Sequence, residues 1–257
     1  MDEADKNIKK IFNFQKAFRL IILEFAGTMA LTYGLLCSQR NNYLAGMSLI
    51  APLFLISDLT GSYFNSAITL ISMVKPRSMG RISIRSGLID ILIHIIGGIC
   101  SGLFCLLVLE DFISPIYLYH DSSWLLADFF GEILGTFTFI SFVLVQTNTQ
   151  TKFTNDRVWG ALIIVMGFVM GRTFTFHSGG VLNPGVALGI QISNSIIEGG
   201  SYSMSNVWIF LIGPLLGGLL SLVFYVKIYQ PNLKAKIFQR KSKLIVENNL
   251  ETQESKN

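Results

Sequence analysis

The stretch TGSYFNSAIT, residues 60–69, decides how this chain folds, because it returns in altered form as SGGVLNPGVA, residues 178–187. In each copy a segment rich in glycine and polar residues ends in an asparagine, and a short apolar run follows. Such a run is too short to cross a bilayer, since a spanning helix needs about 20 residues. Short, interrupted apolar segments at matching places in two halves indicate a site built from re-entrant half-helices.

Two further motifs repeat in the same order. LEFAGT (23–28) corresponds to GEILGT (131–136), and IHIIGGICSG (93–102) corresponds to GPLLGGLLSL (213–222). Because the order is kept and only the connecting lengths differ, we interpret the chain as two copies of one unit. Each unit has three spanning helices and one half-helix.

Six apolar stretches are candidates for the spanning helices. An odd number of spans in each half turns the second copy upside down, which is an inverted-topology repeat. The sequence therefore predicts an all-α membrane protein with six transmembrane helices and two re-entrant half-helices. The predicted spans are residues 18–38, 43–57, 86–109, 124–147, 158–172 and 206–228.

Composition and charge fit this topology. Only 14% of the residues are charged and 51% are hydrophobic, whereas about a quarter of an average soluble domain is charged. This argues against a soluble domain or a nucleic-acid-binding protein. Of the 20 basic residues, 18 lie in the segments that six spans place on the side of both termini. The excess of Lys and Arg on cytoplasmic loops therefore predicts that both termini are cytoplasmic.

The domain boundaries follow from the same reading. We expect a cytoplasmic N-terminal segment at 1–17, a channel domain at 18–228 and a disordered cytoplasmic tail at 229–257. The channel domain divides into repeat one, about 18–109, and repeat two, about 124–228.

The two asparagines carry the predicted chemistry. Asn65 and Asn183 each precede a short apolar run, and asparagine is a favoured N-cap. Inverted symmetry brings the two half-helix N-termini together, and each carries about half a positive charge. These ends repel cations, while the amide groups donate hydrogen bonds to neutral solutes. The backbone carbonyls expected to line the path are those of Gly61, Ser62, Tyr63, Gly179 and Val181.

These motifs resemble the aquaporin, or major intrinsic protein, family from about Leu20 to Tyr225. The resemblance rests on E-x-x-G-T in both halves, the doubled asparagine boxes and G-P-L-L-G-G in the last span. It implies an aquaporin-like fold, a passive water channel and a homotetramer in a lipid bilayer. It also implies a pore constriction formed by the two boxes, which here are Asn65, Ser66, Ala67 and Asn183, Pro184, Gly185.

The sequence departs from the family pattern beside these boxes. The family has Asn-Pro-Ala twice and an arginine after the second box, where this chain has Val186. The selectivity-filter positions implied by the resemblance are Ala45, Gly171, Gly180 and Val186, which predict a wide filter poor in donors. The alternative function is therefore a channel for small neutral solutes such as glycerol, urea or hydrogen peroxide. Asn-Pro followed by an aliphatic residue is similar to the superaquaporin branch.

Two residues could compensate for the missing arginine, and both readings stay open. Arg172 either replaces it or extends to the surface, and His177 either lines the outer vestibule or is exposed.

Carboxylates inside the predicted spans allow another class of function. Glu24 and Glu132 repeat symmetrically, so we expect each to accept hydrogen bonds from the re-entrant backbone of its own half. Asp90 and His94 share a helix face and are expected to pair. A transporter that carries protons on Glu24, Glu132 or Asp90 is a weaker alternative, as is a non-conducting member. We expect no enzyme activity, cofactor, metal or nucleic-acid partner.

Overall fold

The computed structural model describes residues 3–38, 41–56, 64–109, 124–175, 177–198, 204 and 206–240, with side chains from Ala17 onward. These residues form helices joined by short connections. The eight α-helices of the described residues are α1 (Glu3–Cys37), α2 (Asn42–Leu55), α3 (Ser66–Val74), α4 (Ile84–Leu109), α5 (Leu125–Thr147), α6 (Arg157–Thr173), α7 (Pro184–Glu198) and α8 (Val207–Phe224).

Local sequence explains several helix starts. The side chain of Asn41 accepts from the backbone N–H groups of Tyr43 and Leu44 and caps α2. Asp156 caps α6 by accepting from the Trp159 N–H. Helix α7 begins with Pro184, at the position where a missing N–H has no partner to lose.

The helices fit a membrane. Four of them are long and apolar enough to cross a bilayer, at Ala17–Cys37, Ile84–Val108, Leu125–Thr147 and Val207–Arg240. Helices α2 and α6 are shorter, with 14 and 17 residues. The outward-facing side chains of the bundle include Leu107 of α4, Leu126 of α5 and Trp159 of α6, which are 79%, 68% and 64% exposed. An apolar surface of this kind requires lipid around it, so the protein is an integral, multi-pass membrane protein.

The packing of the helices repeats between the halves. Helix α1 packs on α2 and α4, as α5 packs on α6 and α8. Half-helix α3 packs on α4 and α8, and half-helix α7 packs on α8 and α4. Helices α2 and α6 contact each other, as do α3 and α7, so these pairs join the two copies. This is the predicted inverted repeat, with the half-helices at its centre.

Glycines allow the closest crossings. A Cβ added to Gly189 of α7 would lie 2.5 Å from the Ile95 carbonyl oxygen and 2.8 Å from the Gly98 Cα of α4. A Cβ at Gly135 of α5 would lie 2.6 Å from the Gly171 carbonyl oxygen of α6. Without side chains at these points, the backbones approach closely, as in other membrane helix pairs.

Helices continue across both predicted terminal boundaries, and the domain division stays a prediction. Helix α1 runs without a break from Glu3 through the boundary expected at residue 18. The tail predicted to be disordered from 229 is helical to Arg240, and residues 241–257 lie outside the described residues. A helix satisfies its hydrogen bonds within itself, so it extends beyond the apolar span. The π-helical turn Tyr225–Tyr229 ends two residues before Pro231, which lacks the N–H of a regular turn.

Candidate channel

The two asparagines meet at the centre of the bundle. Asn65 donates from Nδ2 to the Leu182 carbonyl oxygen over 2.8 Å, and Asn183 donates from Nδ2 to the Phe64 carbonyl oxygen over 2.7 Å. Both asparagines are buried. Each amide thus reaches across to the residue that precedes the other asparagine. This reciprocal pair fixes the two half-helix N-termini against each other.

The residues before the asparagines have an unusual backbone. Phe64 and Leu182 are the described non-glycine residues with positive φ, at 57° and 52°. This conformation costs a bulky residue about 1–3 kcal/mol and persists only where its surroundings impose it. Here it accompanies a carbonyl that each residue offers to the opposite asparagine. The strain is therefore located at the point where the two repeats join.

The repeated E-x-x-G-T motif makes room for these two residues. A Cβ on Gly27 would lie 2.6 and 2.7 Å from ring carbons of Phe64, and a Cβ on Gly135 would lie 2.7 Å from Leu182 Cδ2. The motif glycine of each half thus accommodates the side chain with positive φ. Sequence reasoning found the repeat but missed this role.

The asparagine oxygens cap the half-helices. Asn65 Oδ1 accepts from the N–H groups of Ala67 and Ile68 at 2.8 and 3.3 Å. Asn183 Oδ1 accepts from Val186 N–H at 3.4 Å and from Ser66 N–H, in the opposite half, at 3.0 Å. The N–H that Ser66 has and a proline would lack is therefore bonded. Each Nδ2 has a second N–H, which can donate a hydrogen bond to a solute oxygen.

A narrow cavity lies beside the asparagine pair. It offers about 10 Å³ to the centre of a water molecule, about the space that one water needs. Its wall is apolar apart from the two amides. The lining residues are Leu31, Leu35, Leu49, Asn65, Phe139, Phe168, Val181, Asn183 and Val186.

A wider cavity of about 260 Å³ opens below it, on the face where α1 begins and α8 ends, which we call the terminal face. Leu53 and Ile164 line this cavity. They lie one helical turn from Leu49 and Phe168 of the narrow cavity, on the same faces of α2 and α6. The two cavities therefore follow one path. Sequence reasoning missed the rim of this mouth, formed by Gln146, Thr147, Lys152, Thr154, Asn155, Asp156 and Arg157.

The buried acids have different partners in the two halves. Glu132 accepts from the Ser178 hydroxyl at 2.9 Å and from the Leu182 N–H at 3.2 Å. It therefore bonds the re-entrant segment of its own half. Glu24 Oε1 lies 2.8 Å from His94 Nε2 instead.

His94 continues this contact toward the first box. Its Nδ1 lies 3.0 Å from the Ser66 hydroxyl, and all three side chains are buried. The expected pairing of His94 with Asp90 is thus replaced by bonds to Ser66 and Glu24. Asp90, a helical turn earlier, is only half-buried. The other oxygen of Glu24 has no hydrogen-bond partner among the described residues.

The four predicted filter positions have different surroundings. Ala45 is buried in α2, and Val186 lines the narrow cavity next to the asparagines. The Cβ direction of Gly171 is filled by the Gly135 carbonyl, so Gly171 serves helix packing. Gly180 has φ +60°, and its carbonyl oxygen accepts from Arg172 Nη1. The guanidinium of Arg172 therefore lies beside Gly180, and the predicted filter stays a prediction.

The structure describes some of the remaining predicted positions. Gly179 has φ +83° and, like Val181, is buried just before the second box. His177 stacks on the Trp124 ring with 4.3 Å between centroids. The carbonyls predicted at Gly61, Ser62 and Tyr63 lie outside the described residues.

Comparison with known proteins decides the family. Residues 14–225 match the family described as Major intrinsic protein. The chain belongs to this family. It is therefore a membrane channel rather than an enzyme, and the family carries water or small solutes across membranes.

Individual relatives extend the comparison. An aquaglyceroporin of Toxoplasma gondii is 25% identical over 228 residues, which cover 84% of this chain and 80% of that protein. The glycerol uptake facilitator protein of Bacillus subtilis is 31% identical over 103 residues, and the match spans only 36% of its length. The X-ray structure of the aquaglyceroporin from Plasmodium falciparum has a TM-score of 0.70 at 18% identity, covering 85% of this chain and 99% of that one. This last likeness shows the fold.

Proposed function

We propose that this chain is a passive channel for small neutral polyols of the glycerol class. The relatives named glycerol uptake facilitator and aquaglyceroporin support this choice of solute over a channel restricted to water. The choice also agrees with the chemistry of the path.

One observation carries the proposal: the crossed hydrogen bonds of Asn65 and Asn183, which hold two helix N-termini face to face. Each N-terminus acts as about half a positive charge, and the described residues that line the narrow cavity include no acidic side chain that could compensate a cation between them. A neutral solute avoids this repulsion. Its oxygens can accept from the remaining N–H of each amide.

The wall of the narrow cavity suits a polyol. Seven of its nine lining residues are apolar, and the two amides supply the polar edge. A glycerol molecule has a carbon edge and a hydroxyl edge. It can therefore face apolar side chains such as Leu35 and Phe168 while its hydroxyl groups meet Asn65 and Asn183. Lining that is mostly apolar with a few placed polar groups is typical of small-molecule sites.

Water is the second candidate. The narrow cavity offers about 10 Å³ to a water centre, which matches a single file of water molecules. A path of this width favours water, unless side chains such as Leu49 or Phe168 move aside for a larger solute.

Paired permeability measurements separate the two candidates. Purified protein in liposomes is exposed to a glycerol gradient, to a sorbitol gradient and to an impermeant osmolyte, and volume change is followed by light scattering. We expect glycerol and water flow well above those of protein-free liposomes, with sorbitol excluded by size. Water flow without glycerol flow would leave only the second candidate. Flow of neither would contradict both.

Proton coupling is tested in the same vesicles. A passive channel gives glycerol uptake that does not saturate and does not change when a pH gradient is imposed. Uptake that follows the pH gradient would instead favour a coupled transporter.

A further inference from the structure

We propose that Arg172 is the specificity-determining residue of the outer path. It reaches the path from α6, where it supplies both a fixed positive charge and hydrogen-bond donors. This inference rests on the proposed function and deepens it.

Arg172 is a cation buried inside the helical bundle. Its side chain is the largest of the fully buried side chains, with 1% exposure. A cation inside an apolar helical bundle is expensive unless it is bonded, and such residues usually face the interior or a water-filled path. In a terminal position of a spanning helix, an arginine without a role would extend to the surface instead.

Its contacts come from the loop before the second asparagine box, from the start of α2 and from its own helix α6. Nη1 donates to the Gly180 carbonyl oxygen, just before the second asparagine box. Nε donates to Asn42 Oδ1, at the start of α2, over 3.1 Å. The guanidinium carbon lies 5.8 Å from the centre of the Phe168 ring. Bonds to a carbonyl and an amide oxygen hold the group in place but do not neutralise it.

Glu132 forms no direct ion pair with it. It interacts electrostatically with Arg172, but its two oxygens are engaged by Ser178 and Leu182. No ion pair within 4 Å joins the two groups in the described part of the chain. The positive charge therefore remains effective in its surroundings.

These contacts place the guanidinium at the end of the narrow cavity. Phe168 lines that cavity, and Arg172 follows it by one turn on the same face of α6. Along α2, Leu49 lines the cavity and Asn42 lies two turns earlier, which is the same direction along the path. Arg172 thus stands beyond the asparagine pair, on the side away from the terminal face.

The chemistry of the group suits a filter for neutral oxygens. A guanidinium has five N–H donors in a rigid plane, and the two hydrogen bonds described above use two of them. The remaining donors can bind hydroxyl oxygens of a polyol. The same charge repels ammonium-like and hydrated cations before they reach the half-helix ends. The side chains at Val186 and Gly171 supply neither hydrogen-bond donors nor a positive charge.

Two substitutions separate the charge from the donors. Arg172→Gln keeps amide donors and removes the charge, whereas Arg172→Lys keeps the charge and removes the planar fork. Arg85→Gln is the matched control, because Arg85 is exposed on α4. Liposomes report glycerol and water flow by light scattering. Proton and methylammonium entry are measured with an entrapped pH-sensitive dye under a membrane potential.

We expect Arg172→Gln to raise cation entry at least tenfold while water flow persists. Arg172→Lys should keep cation entry low but lower the ratio of glycerol to water flow at least threefold. If one variant fails to fold, the other still decides, because each changes one of the two properties. Wild-type cation entry and wild-type flow ratio in a folded variant would overturn the inference and leave the proposed function intact. Absence of glycerol and water flow in the wild type would overturn both.

Discussion

At the scale of single residues, the first asparagine box is held differently from the second. Ser66 stands where the family has proline. In the structure, the Ser66 N–H donates to Asn183 and its hydroxyl contacts His94. His94 in turn bonds Glu24. A side-chain relay therefore anchors the start of α3, whereas Pro184 anchors the start of α7 through its fixed φ.

Removal of the middle member of this relay tests its contribution. His94→Leu leaves Ser66 and Glu24 buried without this partner, and each such group costs about 1–3 kcal/mol. We expect the apparent melting temperature in detergent to fall by at least about 5 °C. Glutamine can bond both neighbours, so His94→Gln should retain most of the stability. Equal melting temperatures for the leucine and glutamine variants would show that the relay contributes nothing.

At the scale of elements, the long first helix of each repeat has a glycine that leaves a notch for the re-entrant segment. Gly27 of α1 faces the Phe64 ring, and Gly135 of α5 faces Leu182. The glutamate of the same motif adds a polar contact one turn earlier, to Ser178 and Leu182 in the second half. In the second half, one helix face thus positions both the strained residue and the loop before it. In the first half, Glu24 contacts His94 instead.

Filling one notch should damage the junction. Gly27→Ala places a Cβ within 2.7 Å of Phe64 ring carbons, and overpacking of this kind costs about 1–3 kcal/mol. We expect an apparent melting temperature lower by about 2–12 °C, together with reduced glycerol flow. Gly218→Ala is the matched control, since the nearest atoms there are the flexible ends of Ile71 and Ile140 at 3.0 and 3.1 Å. If both variants lose stability equally, the notch has no special role.

At the scale of the whole molecule, the two cavities lie along α2 and α6, which are related by the repeat. The cavity beside the asparagines is smaller than the one at the terminal face. Selectivity is therefore expected near the centre and beyond it, away from the terminal face.

A bulky side chain in the narrow cavity should block the path. Val186→Phe fills space next to the asparagine pair, so we expect both glycerol and water flow to fall at least tenfold. Val223→Phe makes the same change on the outer surface of α8, where valine is 58% exposed, and should leave flow unchanged. Melting temperatures of both variants show whether the loss is due to unfolding. Undiminished flow in folded Val186→Phe would place the path elsewhere.

Orientation is also a property of the whole molecule. The excess of basic residues predicts that the terminal face is cytoplasmic. Short epitopes inserted at residue 2 or after Asn257 should stay inaccessible to antibody in intact cells and become accessible after permeabilisation. An epitope in the predicted outer loop at 110–123 should be accessible throughout. The reverse pattern would invert the assignment. The implied homotetramer likewise remains a prediction.

The sequence by itself determined the class of fold, the internal repeat and the two asparagine boxes. Periodic apolar runs and repeated motifs are local patterns, so they can be read without knowing which residues touch. The tertiary structure alone decided that Arg172 bonds Gly180 and Asn42, that His94 bonds Ser66 and Glu24, and that the motif glycines receive Phe64 and Leu182. Counting along the chain cannot give these contacts, because a difference of one residue on a helix turns a side chain by about 100°. Its direction is then set by helices far away in sequence.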